Sequence, residues 1–148
     1  MASQPDSKRP YRPNVMARHQ IVISGHYWAS MAGFQILEAG GNAIDAGVAT
    51  GIAINILQSE FTSFGGVGPA MIYLADRNEV VTISGVGTWP AAASCEYFHE
   101  HFGGIVPQGI LDTIVPAAPD VWITALEEYG TISFADAAAA AIRFARDG

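Results

Sequence analysis

Apolar positions along this chain change spacing several times, and each change marks a predicted element. "IVISG" at 21–25 has the β-branched run of a buried strand. From Trp28 to Ala39, the residues Met31, Phe34, Ile36 and Leu37 fall near helical spacing, and Gly40 with Gly41 supplies a helix stop. Asn42 then caps a second helix, with Asp45 in its first turn, so the two helices form a hairpin. That second helix, "AIDAGVATGIAINILQ", carries Ala46, Gly47, Ala49, Gly51 and Ala53. A helical glycine costs about 1 kcal/mol against alanine, and close packing of another backbone is the expected offset.

"FGGVGP" at 64–69 interrupts the periodicity. Beyond it, "AMIYLA" and "EVVTIS" are strand-like runs separated by Asp76, Arg77 and Asn78, which predicts a β-hairpin. A helix follows from about Ala91 to Phe102, then a loop holding Gly103, Gly104, Pro107 and Gly109, then helices over Pro119–Tyr129 and Phe134–Arg146. The expected fold class is α/β of a layered α+β kind, with strands that have few partners of their own. Residues 1–20 are polar and proline-rich and are predicted to be an irregular leading tail; residues 21–148 form the ordered segment. Nothing after the last helix completes a sheet, so the segment is expected to be part of a larger unit.

Half of the 148 residues are hydrophobic, enough for one domain with a buried core. Fourteen acidic residues against 7 basic give a net charge of −7, which argues against nucleic acid and anionic membrane surfaces as partners. Only Lys8, Arg9, Arg12 and Arg18 gather, and a short basic stretch in a tail reads as solvated. The single Cys95 forms no internal disulfide, and the first twenty residues hold no apolar signal segment, so a cytoplasmic location is expected. The most apolar stretch, Ala43 to Leu57, is interrupted by Asp45, Thr50 and Asn55 and is shorter than the ~20 residues a bilayer requires; it reads as a buried helix.

Candidate chemistry is sparse. A phosphate loop of the Walker type needs a lysine and a hydroxyl after its glycines, and a dinucleotide loop lies between a strand and a helix. The loop at 65–68 leads into a strand and has no basic residue, so its glycines are read sterically, as permitting positive φ or a close approach. His99 and His101 are spaced i, i+2 and point to different faces of a helix, as surface residues rather than metal ligands. Cys95 reads as a small buried residue, and Ser59, Thr62 and Ser63 have no identifiable base. Glu60 and Asp45 are single carboxylates without an evident partner. No metal or cofactor is expected, and these residues describe a scaffold without a complete catalytic set.

Residues 25–93, "GHYWASMAGFQILEAGGNAIDAGVATGIAINILQSEFTSFGGVGPAMIYLADRNEVVTISGVGTWPAAA", resemble the amino-terminal part of the γ-glutamyltransferase family. That family has a similar "G-x-x-I-L-x-x-GGNA-x-DA-x-VA" block, a glycine-rich turn into a hairpin, and an "APAAA"-like segment. The carboxyl end, "TIVPAAPDVWITALEEYGTISFADAAAAAIRFARDG", is similar to its "VPG…W…YG" block and the "AI-x-x-A-x-x-G" after it. The likeness runs over residues 21–148 with its blocks in order.

The resemblance implies an N-terminal-nucleophile hydrolase: an αββα sandwich, incomplete here, made as a precursor that cuts itself into large and small subunits. It implies a threonine nucleophile at the start of the small subunit, outside this chain, so no catalytic residue carries over. The implied partners are a small-molecule amide substrate and the remainder of the precursor, in a hetero-oligomer of the two subunits. In γ-glutamyl-specific relatives a "G-R-E-x-A-P"-like segment supplies an arginine for the substrate α-carboxylate. Here Gly85, Val86, Gly87, Thr88, Trp89 and Pro90 align with it, so Val86 stands where that arginine would be. Val86, Gly87 and Thr88 become the candidate substrate-binding residues. Valine has neither charge nor donor, so cleavage of a different small amide is expected over γ-glutamyl transfer. A γ-glutamyltransferase or glutathione hydrolase using another cation, and a non-catalytic scaffold, are the alternatives. Trp89 reads as core or pocket wall.

Overall fold

A helix that is apolar on every side cannot sit at a surface, and Ala43–Leu57 accordingly becomes the centre of the molecule. The computed structural model describes residues 14–148. Five helices and one hairpin follow in chain order: α1 (Tyr27–Glu38), α2 (Ala43–Leu57), β1 (Ala70–Leu74), β2 (Glu79–Ile83), α3 (Cys95–Phe102), α4 (Ala118–Tyr129) and α5 (Phe134–Asp147). A short 3-10 turn, Ile110–Asp112, precedes α4.

The core consists of Ala46, Val48, Ala49, Ile52 and Ala53 of α2, packed against small residues of α1 and α5 and against Trp122, Ala125 and Leu126 of α4. Small side chains let the helices approach closely. At Gly33 of α1 a Cβ would stand 2.1 Å from Thr50 Oγ1 and 2.7 Å from the Ala46 carbonyl oxygen, so only glycine fits.

The start of α2 is built from local sequence. Asn42 Oδ1 accepts from the N–H groups of Ile44 and Asp45 at 2.8 and 2.9 Å, and Asp45 Oδ2 accepts from the Asn42 N–H at 2.8 Å. This is a reciprocal capping box. Its second role was invisible in the sequence. Thr131 N–H donates to Asp45 Oδ1 at 2.8 Å, the Thr131 hydroxyl donates to Oδ2 at 2.6 Å, and Asn42 Nδ2 donates to the Tyr129 carbonyl at 2.7 Å. One buried carboxylate thus ties the start of α2 to the α4–α5 connection. Gly130 makes room for it, since a Cβ there would lie 2.8 Å from Asp45 Oδ1.

The hairpin forms with Ala70 opposite Ile83 and Leu74 opposite Glu79. Its turn is closed by Asn78 at φ 49°, whose Oδ1 accepts from the Tyr73 hydroxyl at 2.9 Å. Ile72 and Ile83 pack toward the helices. The helix ends predicted around Gly40 and Asn42 are found there, and the helix predicted from Phe134 starts there, where Ser133 and Asp136 form a second capping box.

Three expectations require correction. Residues 21–25 make no strand; Ile23 is 81% exposed, and the Ser24 hydroxyl instead bonds the His26 carbonyl and Ser30 Oγ. A β-branched run favours extended backbone but needs a ladder partner, and the described residues offer none. The helix expected from Ala91 starts at Cys95, because Ser94 accepts from the Tyr97 N–H as N-cap and the preceding alanines turn, Ala93 N–H bonding the Pro90 carbonyl. Cys95 is exposed, not buried: it opens α3, whose only buried side chain is Phe98. Of the expected tail, residues 14–20 hold no helix or strand, while Lys8, Arg9 and Arg12 lie outside the described residues. Among the described residues no helix is long and apolar enough to cross a membrane.

Burial raises the Asp45 carboxyl, but the bonds from the Thr131 hydroxyl and from the backbone of Asn42, Thr131 and Ile132 outweigh it and hold the group below its ordinary 3.8. A depressed folded value contributes stability fully above 3.8 and loses it as pH falls through that lower value. Asp45→Asn in the full-length protein is expected to cost about 2–3 kcal/mol in urea unfolding at neutral pH, since one of the two acceptor oxygens becomes an NH2 donor facing the donors that surround it. The same variant should lack part of the acid-induced loss; an unchanged acid limb would contradict the assignment.

Candidate functional site

The loop at 64–69 works as a bracket. Gly65, Gly66 and Gly68 all lie outside the left-handed region, so positive φ is not their reason. Gly68 N–H donates to the Gly85 carbonyl at 2.9 Å, and the Gly66 carbonyl accepts from the Ala118 N–H at 3.2 Å. That second bond satisfies one of the free N–H groups at the start of α4, where Ala117 has no capping side chain. A Cβ at Gly68 would meet the Ala118 methyl at 3.3 Å. Close backbone approach is therefore the requirement at Gly68.

Left-handed backbone appears instead at the segment the bracket holds. Gly85 is buried at φ 56°, and a Cβ there would stand 2.5 Å from Val121 Cγ2 and 2.6 Å from the Gly68 carbonyl oxygen. Gly87 has φ 84°, and its Cβ would fall 2.1 Å from the Val115 carbonyl oxygen. Val115 N–H donates to the Thr88 carbonyl at 2.8 Å, an isolated antiparallel bridge. Two obligate glycines thus fix Val86 between them with its side chain turned out, 51% exposed. Gly87 is half-buried and Thr88 exposed, so the three expected substrate residues share one short surface segment. Trp89, 37% exposed, leans on Phe98 with ring centroids 5.2 Å apart and belongs neither to the buried core nor to the cavity lining. No Lys or Arg occurs between Asn78 and Ile142, so this region carries no cation of its own.

Behind this segment lies a cavity of about 700 Å³ between α2, α4 and β1. Gly47, Gly51 and Asn55 form one wall, the run Ala70–Tyr73 another, and Trp122 the floor, with Phe64 set edge-on against the indole at 4.8 Å. Val121 belongs to the cavity wall and also touches Gly85, so the two features share a side chain. The expected packing offset for the glycines of α2 is half met. Gly51 faces the Trp122 indole, whose Nε1 would be 3.1 Å from a Cβ, while Gly47 has nothing within 4 Å. The Thr62 hydroxyl oxygen is buried beside the cavity and has no hydrogen-bond partner among the described residues.

Among the described residues no nucleophile meets a base. Ser59, Glu60 and Ser63 are exposed, Asp45 is committed to the α2 clasp, and His99 and His101 are exposed on α3. Among the described residues no group of three or more His, Cys, Asp or Glu could hold a metal ion. What sequence reasoning missed is the obligate geometry of Gly85 and Gly87; the run "GVG" at 85–87 was the available signal.

Comparison with known proteins gives a consistent result. The family described as gamma-glutamyltranspeptidase matches residues 29–148. The glutathione hydrolase-like YwrD proenzyme of Bacillus subtilis (strain 168) is 32% identical over 136 residues, covering 91% of this chain and 26% of that protein. The acylase ACY 1 proenzyme of Pseudomonas sp. (strain SE83) is 36% identical over 138 residues, covering 86% of this chain and 25% of that protein. The chain therefore spans about a quarter of the length of these curated relatives. The crystal structure of Helicobacter pylori gamma-glutamyltranspeptidase superimposes with a TM-score of 0.82 at 33% identity, covering 92% of this chain and 40% of that one. The mixed helices and small sheet are thus part of that layered α/β fold.

Gly87→Ala tests the site geometry. The new methyl meets the Val115 carbonyl, and a non-glycine residue at this φ costs about 1–3 kcal/mol by itself. The Thr88–Val115 bridge is expected to open, read as loss of amide protection at Val115; retained protection would refute the constraint.

Proposed function

The chain belongs to the gamma-glutamyltranspeptidase family, and from that premise we propose that residues 21–148 are the amino-terminal segment of the large subunit of a self-processing amidohydrolase that cleaves a small amide with a neutral acyl group. The relatives named above are proenzymes, which supports a precursor cleaved into subunits. In the proposed reaction an N-terminal threonine elsewhere in the precursor attacks the amide carbonyl through its hydroxyl oxygen. Its own α-amine takes the hydroxyl proton and passes it to the leaving amine; water then hydrolyses the acyl ester. The segment described here supplies the support and part of the acyl-group wall, through Val86, Gly87 and Thr88, and does no bond-breaking.

One observation carries the neutral acyl group: Val86 is held out between two sterically obligate glycines, on a stretch without any Lys or Arg from Asn78 to Ile142. A bidentate arginine is the usual way to hold a carboxylate, and an exposed valine offers apolar contact only. The name acylase on one relative is in keeping with this reading.

The full-length protein, produced as precursor, is expected to yield two fragments on a denaturing gel and to hydrolyse a neutral acyl anilide with higher kcat/KM than a γ-glutamyl anilide. Preference for the γ-glutamyl anilide would favour a γ-glutamyltransferase with a different cation, and absence of self-cleavage would favour a non-catalytic scaffold. Val86→Arg should lower KM for the γ-glutamyl anilide about tenfold or more, the worth of one charge-assisted pair. An unchanged substrate profile would remove Val86 from the pocket.

A further inference from the structure

The candidate substrate segment does not stand alone at the surface. Thr88 and Val115 face each other across the isolated antiparallel bridge, with the Val115 N–H donating to the Thr88 carbonyl at 2.8 Å. Residues directly opposite in such a pair extend their side chains to the same face, with Cβ atoms about 5 Å apart. The burial pattern agrees. Ile114 turns inward and is half-buried, its Cδ1 3.4 Å from where a Cβ on Gly87 would stand, whereas Val115 is 50% exposed and Thr88 is exposed beside it. We propose that Val115 is a specificity-determining residue, which forms with Thr88 one continuous wall selecting neutral acyl groups longer than acetyl. The inference rests on the reading above, in which Val86, Gly87 and Thr88 belong to the acyl-group wall.

Three constraints make Val115 a prepared contact surface. Its backbone is held by the bridge and packed against Gly87, where a Cβ would fall 2.1 Å from the Val115 carbonyl oxygen. Pro116 follows and confines Val115 to extended backbone, so the direction of the side chain is set. The branched side chain has few rotamers and loses little freedom when a ligand packs on it. The pairing also fixes a length. A chain lying along both members of the pair spans about 5 Å, more than the single carbon–carbon bond of an acetyl group provides. Thr88 offers one hydroxyl and Val115 only methyl groups, so the wall suits an aliphatic chain.

The test compares the anilides of acetic and hexanoic acid as substrates of the full-length protein, and the hexanoyl anilide is expected to have the lower KM. Val115→Ala strips two methyl groups from the wall and should raise KM for the hexanoyl anilide about five- to tenfold, with kcat and the acetyl KM unchanged. Val115→Thr keeps the branching and the extended backbone while replacing one methyl by a hydroxyl, and should raise the hexanoyl KM as well. Unchanged KM values in both variants, as when the rest of the precursor covers Val115, would overturn the proposal. So would an equal rise for both anilides or a loss confined to kcat, since either marks a structural role. The Val115 methyl resonances, followed by NMR during titration with hexanamide, give a readout independent of turnover. A protein without amidase activity whose Val115 methyls still shift refutes the proposed function alone, and one with neither refutes both. An active protein that hydrolyses neutral anilides with Val115 methyls and KM values unmoved refutes this inference alone.

Discussion

A single buried carboxylate organises this segment. Asp45 has no solvent exposure, and it accepts bonds from residues 86 positions away as well as from its own helix start. Burial disfavours the charged form, so the charge survives only because each oxygen is supplied with donors. The arrangement is all or nothing. With Thr131 in place it joins α2 to the α4–α5 connection; without those donors, an uncompensated charge would sit at the start of the central helix.

That clasp matters because packing alone is weak here. The helices meet through alanine and glycine, which bury little area per residue but allow close approach. Gly33 against Thr50 and Gly51 against the Trp122 indole show what the small residues achieve. Close packing of this kind demands correct axial register, and the Asp45–Thr131 bonds set the register of α2 against α4 and α5.

Much of this was legible in local sequence, for physical reasons that are themselves local. Asn42 and Asp45 read as a helix start because capping is satisfied within three residues. The hairpin was legible because Asn78 tolerates the left-handed turn. The strand expected at 21–25 failed because strand formation depends on a partner that propensity does not supply. Cys95 was misread because burial depends on which face of α3 meets the core, and only Phe98 does. The resemblance to a known family identified the frame correctly, while the Asp45–Thr131 pairing stayed hidden because no short-range pattern encodes it. At the site, attention fell on the conspicuous glycines at 65–68, whereas the left-handed positions are the less conspicuous pair at 85 and 87.

Those two glycines connect the fold to the proposed recognition segment. Each is obligate because its neighbours, Val121 and the Gly68 carbonyl on one side and the Val115 carbonyl on the other, come from separate elements. The position of Val86 is therefore fixed by the bracket, by α4 and by the segment before α4 together. A fixed valine and a cation-free stretch impose an electrostatic condition as well. A carboxylate held at about 4 Å by a guanidinium gains on the order of 4 kcal/mol near a protein surface, and nothing from Asn78 to Ile142 offers that gain. An anionic substrate group would have to draw its partner from outside this region, against an overall charge of −7. A neutral acyl group meets no such requirement, which is why the proposed reading assigns a neutral acyl group to the segment at 85–87.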